Sequence, residues 1–254
     1  MTFSAINKPI PGSRNPVVYI KGLTASLNAT TPNTQLDLSS GACSDSINNI
    51  DMVVPAAITI NAAVVGVNGI DTGALAASKF YYVHVIGDSN GFYQPAALLS
   101  LSSTAPILPY GYDSFRMVDI KVTDGSSHFL LSYTNGDAEY REFIYDAPLT
   151  TGSSALTTSY VALPLTACVA PIGTPKVKFS VTLTPNAAGN TLFVQPTGST
   201  GNEARLSGVV AAVAQIADLE CLAFVVTGVA SVSLKASAAT DTAVLLVKSF
   251  VYNV

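Results

Sequence analysis

Nine consecutive residues, Lys176-Val177-Lys178-Phe179-Ser180-Val181-Thr182-Leu183-Thr184, alternate between polar and apolar side chains almost without a break. A strand turns successive side chains to opposite faces, so this run collects Val177, Phe179, Val181 and Leu183 on one face and lysines and hydroxyls on the other. Residues 80–86 keep the same period with aromatic or aliphatic side chains on both faces, the pattern of a strand covered on both sides. Further runs of strand length lie at 16–21, 35–38, 58–67, 115–122, 129–133, 160–165, 192–195, 222–226, 231–236 and 243–252. Between them fall Asn68-Gly69, Asn90-Gly91, Asp124-Gly125, Asn135-Gly136 and Gly189-Asn190, dipeptides that accept the positive φ of tight turns. Many short strands with closely spaced turn signals predict an all-β chain of sandwich or barrel type, without βαβ units. Residues 206–222, rich in Ala and Val, read either as two strands about Gln215 or as one short helix.

Two antiparallel β-sandwich, jelly-roll-like domains follow from this pattern. The charge cluster Asp137-Ala138-Glu139-Tyr140-Arg141-Glu142 and the Thr/Ser/Gly run at 149–154 read as a solvated connector and a loop. They divide the chain into a first domain over 16–145 and a second over 146–254, after an extended arm at residues 1–15. Such an arm needs a partner surface to become ordered.

Charge is scarce. Only 11% of the 254 residues are ionisable Asp, Glu, Lys or Arg, against roughly 25% in ordinary soluble domains. That composition excludes an intrinsically disordered chain, which is polar and self-repelling. A net charge of −4 leaves no basic stripe for nucleic-acid phosphates. Residues 221–234 form the most apolar uncharged run and are too short for the roughly 20 residues of a helical span, and no aromatic girdles mark a membrane barrel. Membrane insertion is therefore not expected. Residues 1–16 lack a basic segment followed by an apolar one, so no export signal is expected either. Cys43, Cys168 and Cys221 are far apart and form no CxxC pair, which predicts reduced, buried thiols and no zinc ribbon.

Catalytic signatures are fragmentary. Gly87-Asp88-Ser89 at a strand end resembles the nucleophile block of the GDS-type esterases, in which Ser89 would attack and a downstream Asp-x-x-His would serve as acid and base. Here Asn90-Gly91 turns the chain where that family opens a helix, and Asp124 precedes His128 by four positions instead of three. A hairpin loop over Asp88-Ser89-Asn90-Gly91 is the expected structure. Asp137, Glu139 and Glu142 lie too close in sequence for the facing carboxylates of glycoside cleavage, which come from separated positions. Asp113, Asp119 and Asp124 lack calcium-loop spacing. His84 has no histidine neighbour and is expected in a core or interface. No glycine-rich phosphate loop occurs. The expectation is a non-enzyme with no catalytic, cofactor-binding or metal-binding residues and no cofactor.

The central region carries a longer pattern: Gly69-Ile70-Asp71-Thr72-Gly73-Ala74-Leu75-Ala76-Ala77, the pair Tyr81-Tyr82, and Leu98-Leu99-Ser100-Leu101-Ser102-Ser103-Thr104-Ala105-Pro106-Ile107-Leu108-Pro109-Tyr110-Gly111-Tyr112. It resembles a module of tailed-bacteriophage virion proteins found in tail fibres, tail tips, head fibres and capsid-decoration proteins. Thr157-Thr158-Ser159-Tyr160-Val161-Ala162-Leu163-Pro164-Leu165, Val169-Ala170-Pro171 and the 176–183 strand look like the segment that follows it in such proteins. The likeness covers roughly residues 17–195. It departs from relatives in having no Trp beside the aromatic pair and no repetitive shaft, which suits a compact capping or decorating subunit. The resemblance implies a virion location after synthesis in the bacterial cytoplasm, a homotrimer, and major capsid or tail proteins as partners, with attachment through the arm. The alternative expectation is a receptor- or glycan-binding tail module, in which loop aromatics Phe92, Tyr93, Tyr110 and Tyr140 stack on host-surface sugars.

Overall fold

The computed structural model describes residues 19–136, 140–201 and 203–253, without the side chains of 152–155. The predicted arm at 1–15, together with Asp137 and Glu139, lies outside the described residues. Every regular element among the described residues is a strand, as the alternating pattern requires. The chain divides into two compact units, one running to Arg141 and the other from Glu142 to Asn253.

The first unit holds β1 (Ile20–Gly22), β2 (Ala25–Leu27), β3 (Gln35–Leu38), β4 (Gly41–Ser44), β5 (Asp51–Val54), β6 (Ile58–Asn61), β7 (Gly69–Ile70), β8 (Phe80–Gly87), β9 (Ala96–Ser100), β10 (Ser114–Val122) and β11 (Ser132–Asn135). All but β11 build three sheets, ordered β1-β4-β5, β2-β3-β6 and β10-β8-β9-β7. All pairings are antiparallel except that of β7 with β9. One apolar core joins the three sheets, with Leu36, Leu38 and Ile60 meeting Met52, Val54, Tyr81, Val83 and Leu99.

Strand β8 is buried along its whole length. Its Tyr81, Val83 and Val85 enter the main core. On the other face Ile86 packs with Ala96 and Leu98 under Leu108, Tyr112 and Phe115. The proline-rich segment after β9 thus lies over the outer face of this sheet, which explains why neither face of β8 is polar. The predicted strand at 58–67 stops at Asn61, whose Oδ1 accepts the Ala63 amide at 3.0 Å and turns the chain. The strand expected at 129–133 begins three residues later, because Phe129 makes only an isolated bridge to Thr123.

The second unit holds most of β12 (Tyr140–Ala155), then β13 (Val161–Pro164), β14 (Lys176–Thr184), β15 (Thr191–Pro196), β16 (Ala204–Ser207), β17 (Gln215–Leu222), β18 (Phe224–Val226), β19 (Val229–Ala236) and β20 (Thr242–Asn253). One sheet runs β12-β20-β14-β17 and the other β13-β19-β15-β16, with β18 added along β19. This is a β-sandwich. Strand β14 alternates as its sequence dictates, with Val177, Phe179, Val181 and Leu183 all buried. A bulge in β20 at Lys248 changes the parity of that strand, so Val247 and Phe250 both face inward. Phe143 stacks on Phe250 with centroids 5.1 Å apart.

Two sequence expectations are corrected here. The run at 149–154 is not a loop but part of β12. The charged connector is not wholly solvated either, because Arg141 is buried and Phe143 and Tyr145 continue its inward face. The inward arginine interrupts the apolar alternation and conceals the strand. At 206–222 the two-strand reading holds: β16 and β17 flank a turn, and no helix forms.

Candidate binding surfaces

The residues singled out for chemistry do not assemble. Ser89 Oγ donates to Asp113 Oδ2, and its amide donates to Asp113 Oδ1 at 2.8 Å. His128 instead sits beside Asp124, whose Oδ1 accepts the Ser126 and His128 amides at 2.7 and 2.9 Å. The predicted hairpin loop is therefore what Gly87-Asp88-Ser89 builds. Asp119 is buried, taking the Ala25 amide at 2.6 Å and the Thr134 hydroxyl at 2.7 Å. No cluster of three metal-ligating side chains occurs among the described residues. His84 is fully buried, its Nε2 is 2.9 Å from the Ser102 carbonyl, and its ring meets Phe115 edge-on at 5.7 Å. Burial pushes its pKa down to about 4, so the ring is neutral and Nε2 is the donor.

Two loops of the first unit, 88–95 between β8 and β9 and 101–113 between β9 and β10, meet through aromatic side chains. The Asp88 carboxylate is the hub of the first loop. It accepts the amides of Asn90 at 2.9 Å, Phe92 at 2.7 Å and Tyr93 at 3.2 Å, and these bonds hold it ionised below the usual carboxylate range. In the second loop Gly111 adopts φ +88°, and a methyl group there would collide with the Tyr93 ring. Tyr93 packs against Tyr112 with centroids 5.6 Å apart, and the Tyr112 hydroxyl donates to the Gln94 carbonyl at 3.2 Å. Phe92 and Tyr110, one residue away from the Tyr93–Gly111 contact on either loop, are 85% and 94% exposed.

The second unit offers different surfaces. Across the outer face of β12, β20, β14 and β17 a charge network surrounds a cleft of about 480 Å³. Lys178 Nζ bonds Glu142 at 2.8 Å, the Ser249 hydroxyl bonds the same oxygen at 2.7 Å, Lys176 pairs with Glu220, and Lys248 pairs with Asp218 at 2.8 Å. Burial opposes ionisation of Glu142, yet the Lys178 and Ser249 bonds hold it below its usual range. Each of these six charges therefore has an opposite neighbour. On the other sheet Lys235 lies over the rings of Tyr160 at 4.3 Å and Phe193 at 4.8 Å, and reaches Glu203 at 3.3 Å.

The apolar surface concentrates at one edge of this unit. Strand β17 ends its sheet, and Ile216 on it is 73% exposed. The adjoining turn displays Val209, Val210 and Val213. That turn is fixed, with the Ala212 amide bonded to the Pro185 carbonyl at 2.7 Å and the Gly208 amide to Asn190 at 2.8 Å. Sequence reading missed this edge, because Val and Ala in 206–222 gave no clue to which side faces water.

No family model matches the chain, and no curated protein matches it. Solved structures give low-scoring likenesses. An exo-β-1,3-galactanase from Phanerochaete chrysosporium, with galactose, is 10% identical with a TM-score of 0.24, covering 96% of this chain and 58% of that one. The insecticidal delta-endotoxin Cry8Ea1 of Bacillus thuringiensis is 8% identical with a TM-score of 0.22, covering 93% and 53%. Infectious bursal disease virus, Gx strain, is 11% identical with a TM-score of 0.24, covering 97% and 73%. The chain thus spans just over half the length of the first two, and at these scores none of the three assigns a function.

Proposed function

We propose that this chain is a non-enzymatic structural subunit of a bacteriophage virion, a homotrimeric capsid-decoration, head-fibre or tail-attached protein that binds the particle through residues 1–15. The observation that carries the self-association is the apolar edge of the second unit. Ile216, Val209, Val210 and Val213 stand in water on a strand and turn whose backbone is fixed. Large exposed apolar patches mark interaction sites, and an open sheet edge is a ready template for pairing. Fully burying an exposed Val or Ile is worth about 1.5–3 kcal/mol, and these four are roughly half to three-quarters exposed, so covering them is worth on the order of 4–7 kcal/mol gross per copy before association costs. The Ser-Thr-Ala-Pro-x-Leu-Pro-x-Gly-Tyr string supports the virion part of the reading, through its resemblance to phage modules.

Sedimentation equilibrium of the full chain tests the assembly. The expected mass is three times the 26.2 kDa of one chain, and Ile216→Asp lowers it. A stable monomer at micromolar concentration refutes the reading. A second reading, a receptor- or glycan-binding tail module, is favoured by the two loops that display Phe92 and Tyr110.

A further inference from the structure

Phe92 and Tyr110 are held out into solvent by backbone that is tightly fixed beneath them. The Asp88 carboxylate fastens the Phe92 and Tyr93 amides, the Asp113 amide donates to the Gly87 carbonyl at 3.0 Å, and the Tyr112 amide donates to Pro109 at 3.1 Å. Loops that merely bridge strands have no need to hold aromatic rings in water. Rings fixed in advance bind with less loss of conformational freedom, the usual basis of preorganised recognition.

The chemistry around the rings narrows the occupant. Ser89, Asn90, Gln94 and Asp113 are exposed polar side chains on the same two loops, which contain no Lys, Arg or His. Asp113 is exposed; its Oδ1 accepts the Ser89 amide and the Ser114 hydroxyl, whereas Oδ2 takes the Ser89 hydroxyl and has capacity for a second donor. Carboxylates without a cation repel phosphate, so a nucleic acid or an anionic lipid surface is the wrong partner. A second protein chain is served better by the aliphatic edge of the other unit. A neutral hexopyranose presents an apolar C–H face to an aromatic ring and hydroxyl donors to a carboxylate, and it matches both features.

We infer that loops 88–95 and 101–113 bind a neutral hexopyranose glycan, with Phe92 and Tyr110 as stacking platforms and Asp113 accepting hydrogen bonds from ring hydroxyls. The inference rests on the receptor-binding reading and is independent of self-association through the second unit.

The test applies the full chain, unmodified and as Phe92→Ala/Tyr110→Ala, to an array of neutral gluco-, galacto- and manno-configured oligosaccharides, with hits titrated by calorimetry. Both rings are exposed, so the variant keeps the fold, which its circular dichroism and melting temperature verify. The unmodified chain is expected to retain at least one sugar, the double variant to bind it at least tenfold more weakly, and Asp113→Asn several-fold more weakly. Retention of none of these sugars overturns the site together with the glycan-binding form of the receptor reading. Equal binding by both chains overturns the site alone and leaves the receptor reading standing. A change of oligomeric mass in the double variant, with sugar binding intact, makes the rings a contact between copies and likewise overturns the inference.

Discussion

Replacing Arg141 with Met removes a buried cation that ties together two separate parts of the first unit. Its side chain is 1% exposed, and three backbone carbonyls depend on it. Nη1 donates to Leu23 at 2.9 Å and to Val118 at 2.5 Å, and Nη2 donates to Gly22 at 2.7 Å. These carbonyls need an outside donor for local reasons. Val118 is the extra residue of a bulge between Met117 and Asp119, so it drops out of the β8–β10 register. Gly22 and Leu23 form the turn between β1 and β2, both at positive φ. Met fills similar volume without a donor, leaving the buried Leu23 and Val118 carbonyls unsatisfied at about 1–3 kcal/mol each, while the part-buried Gly22 carbonyl can turn to water. Relief of the guanidinium's own desolvation offsets part of this loss. The net expectation is about 3 kcal/mol, or on the order of 10 °C in the melting temperature of the first unit. Urea unfolding followed by tyrosine fluorescence measures it, since the chain has 11 Tyr and no Trp. A loss below about 1 kcal/mol refutes the claim that Arg141 holds the bulge and turn together.

Three further perturbations follow. His84 is neutral when folded, with its pKa lowered from 6.5 to about 4, so its contribution is complete above pH 6.5 and is lost as pH falls toward 4. That is up to about 3 kcal/mol at about 1.4 kcal/mol per pH unit, and urea titrations of His84→Gln are expected to lack this acid-side loss; an unchanged profile contradicts it. Burial raises the Cys43 thiol to about 12 and those of Cys168 and Cys221 to about 11, so iodoacetamide at pH 8 labels none of them until urea unfolds the chain. Rapid labelling of the native protein would show these sites to be open. Gly111→Ala places a methyl group against Tyr93 at positive φ and is expected to cost about 1–2 kcal/mol in thermal unfolding, whereas a neutral effect would mean the loop contact is loose.

Legibility in the sequence followed the contrast between faces. Strand β14 was readable residue by residue because lysines and hydroxyls alternate with Val, Phe and Leu against one wet face. Strand β8 was readable for the opposite reason, since both of its faces are covered. The longest strand, β12, was hidden by the inward Arg141 and by Thr, Ser and Gly in its second half. Strands such as β2 and β4 span three or four residues, too few for any period to show. Among candidate surfaces, Phe92 and Tyr110 were legible as loop aromatics, but the contact of Tyr93 with Gly111 depends on how the loops on either side of β9 fold back on each other. The apolar edge at Ile216 was illegible, because a strand's place at the border of a sheet is set by pairing and not by its own residues.

The central claim is that copies of this subunit clasp one another on a virus particle. Imaging purified virions with an antibody against this chain tests it most directly. The account predicts label at regularly spaced positions on head or tail, with three copies at each. Absence from purified particles, with the protein recovered only as a dispersed monomer in lysed cells, would contradict it.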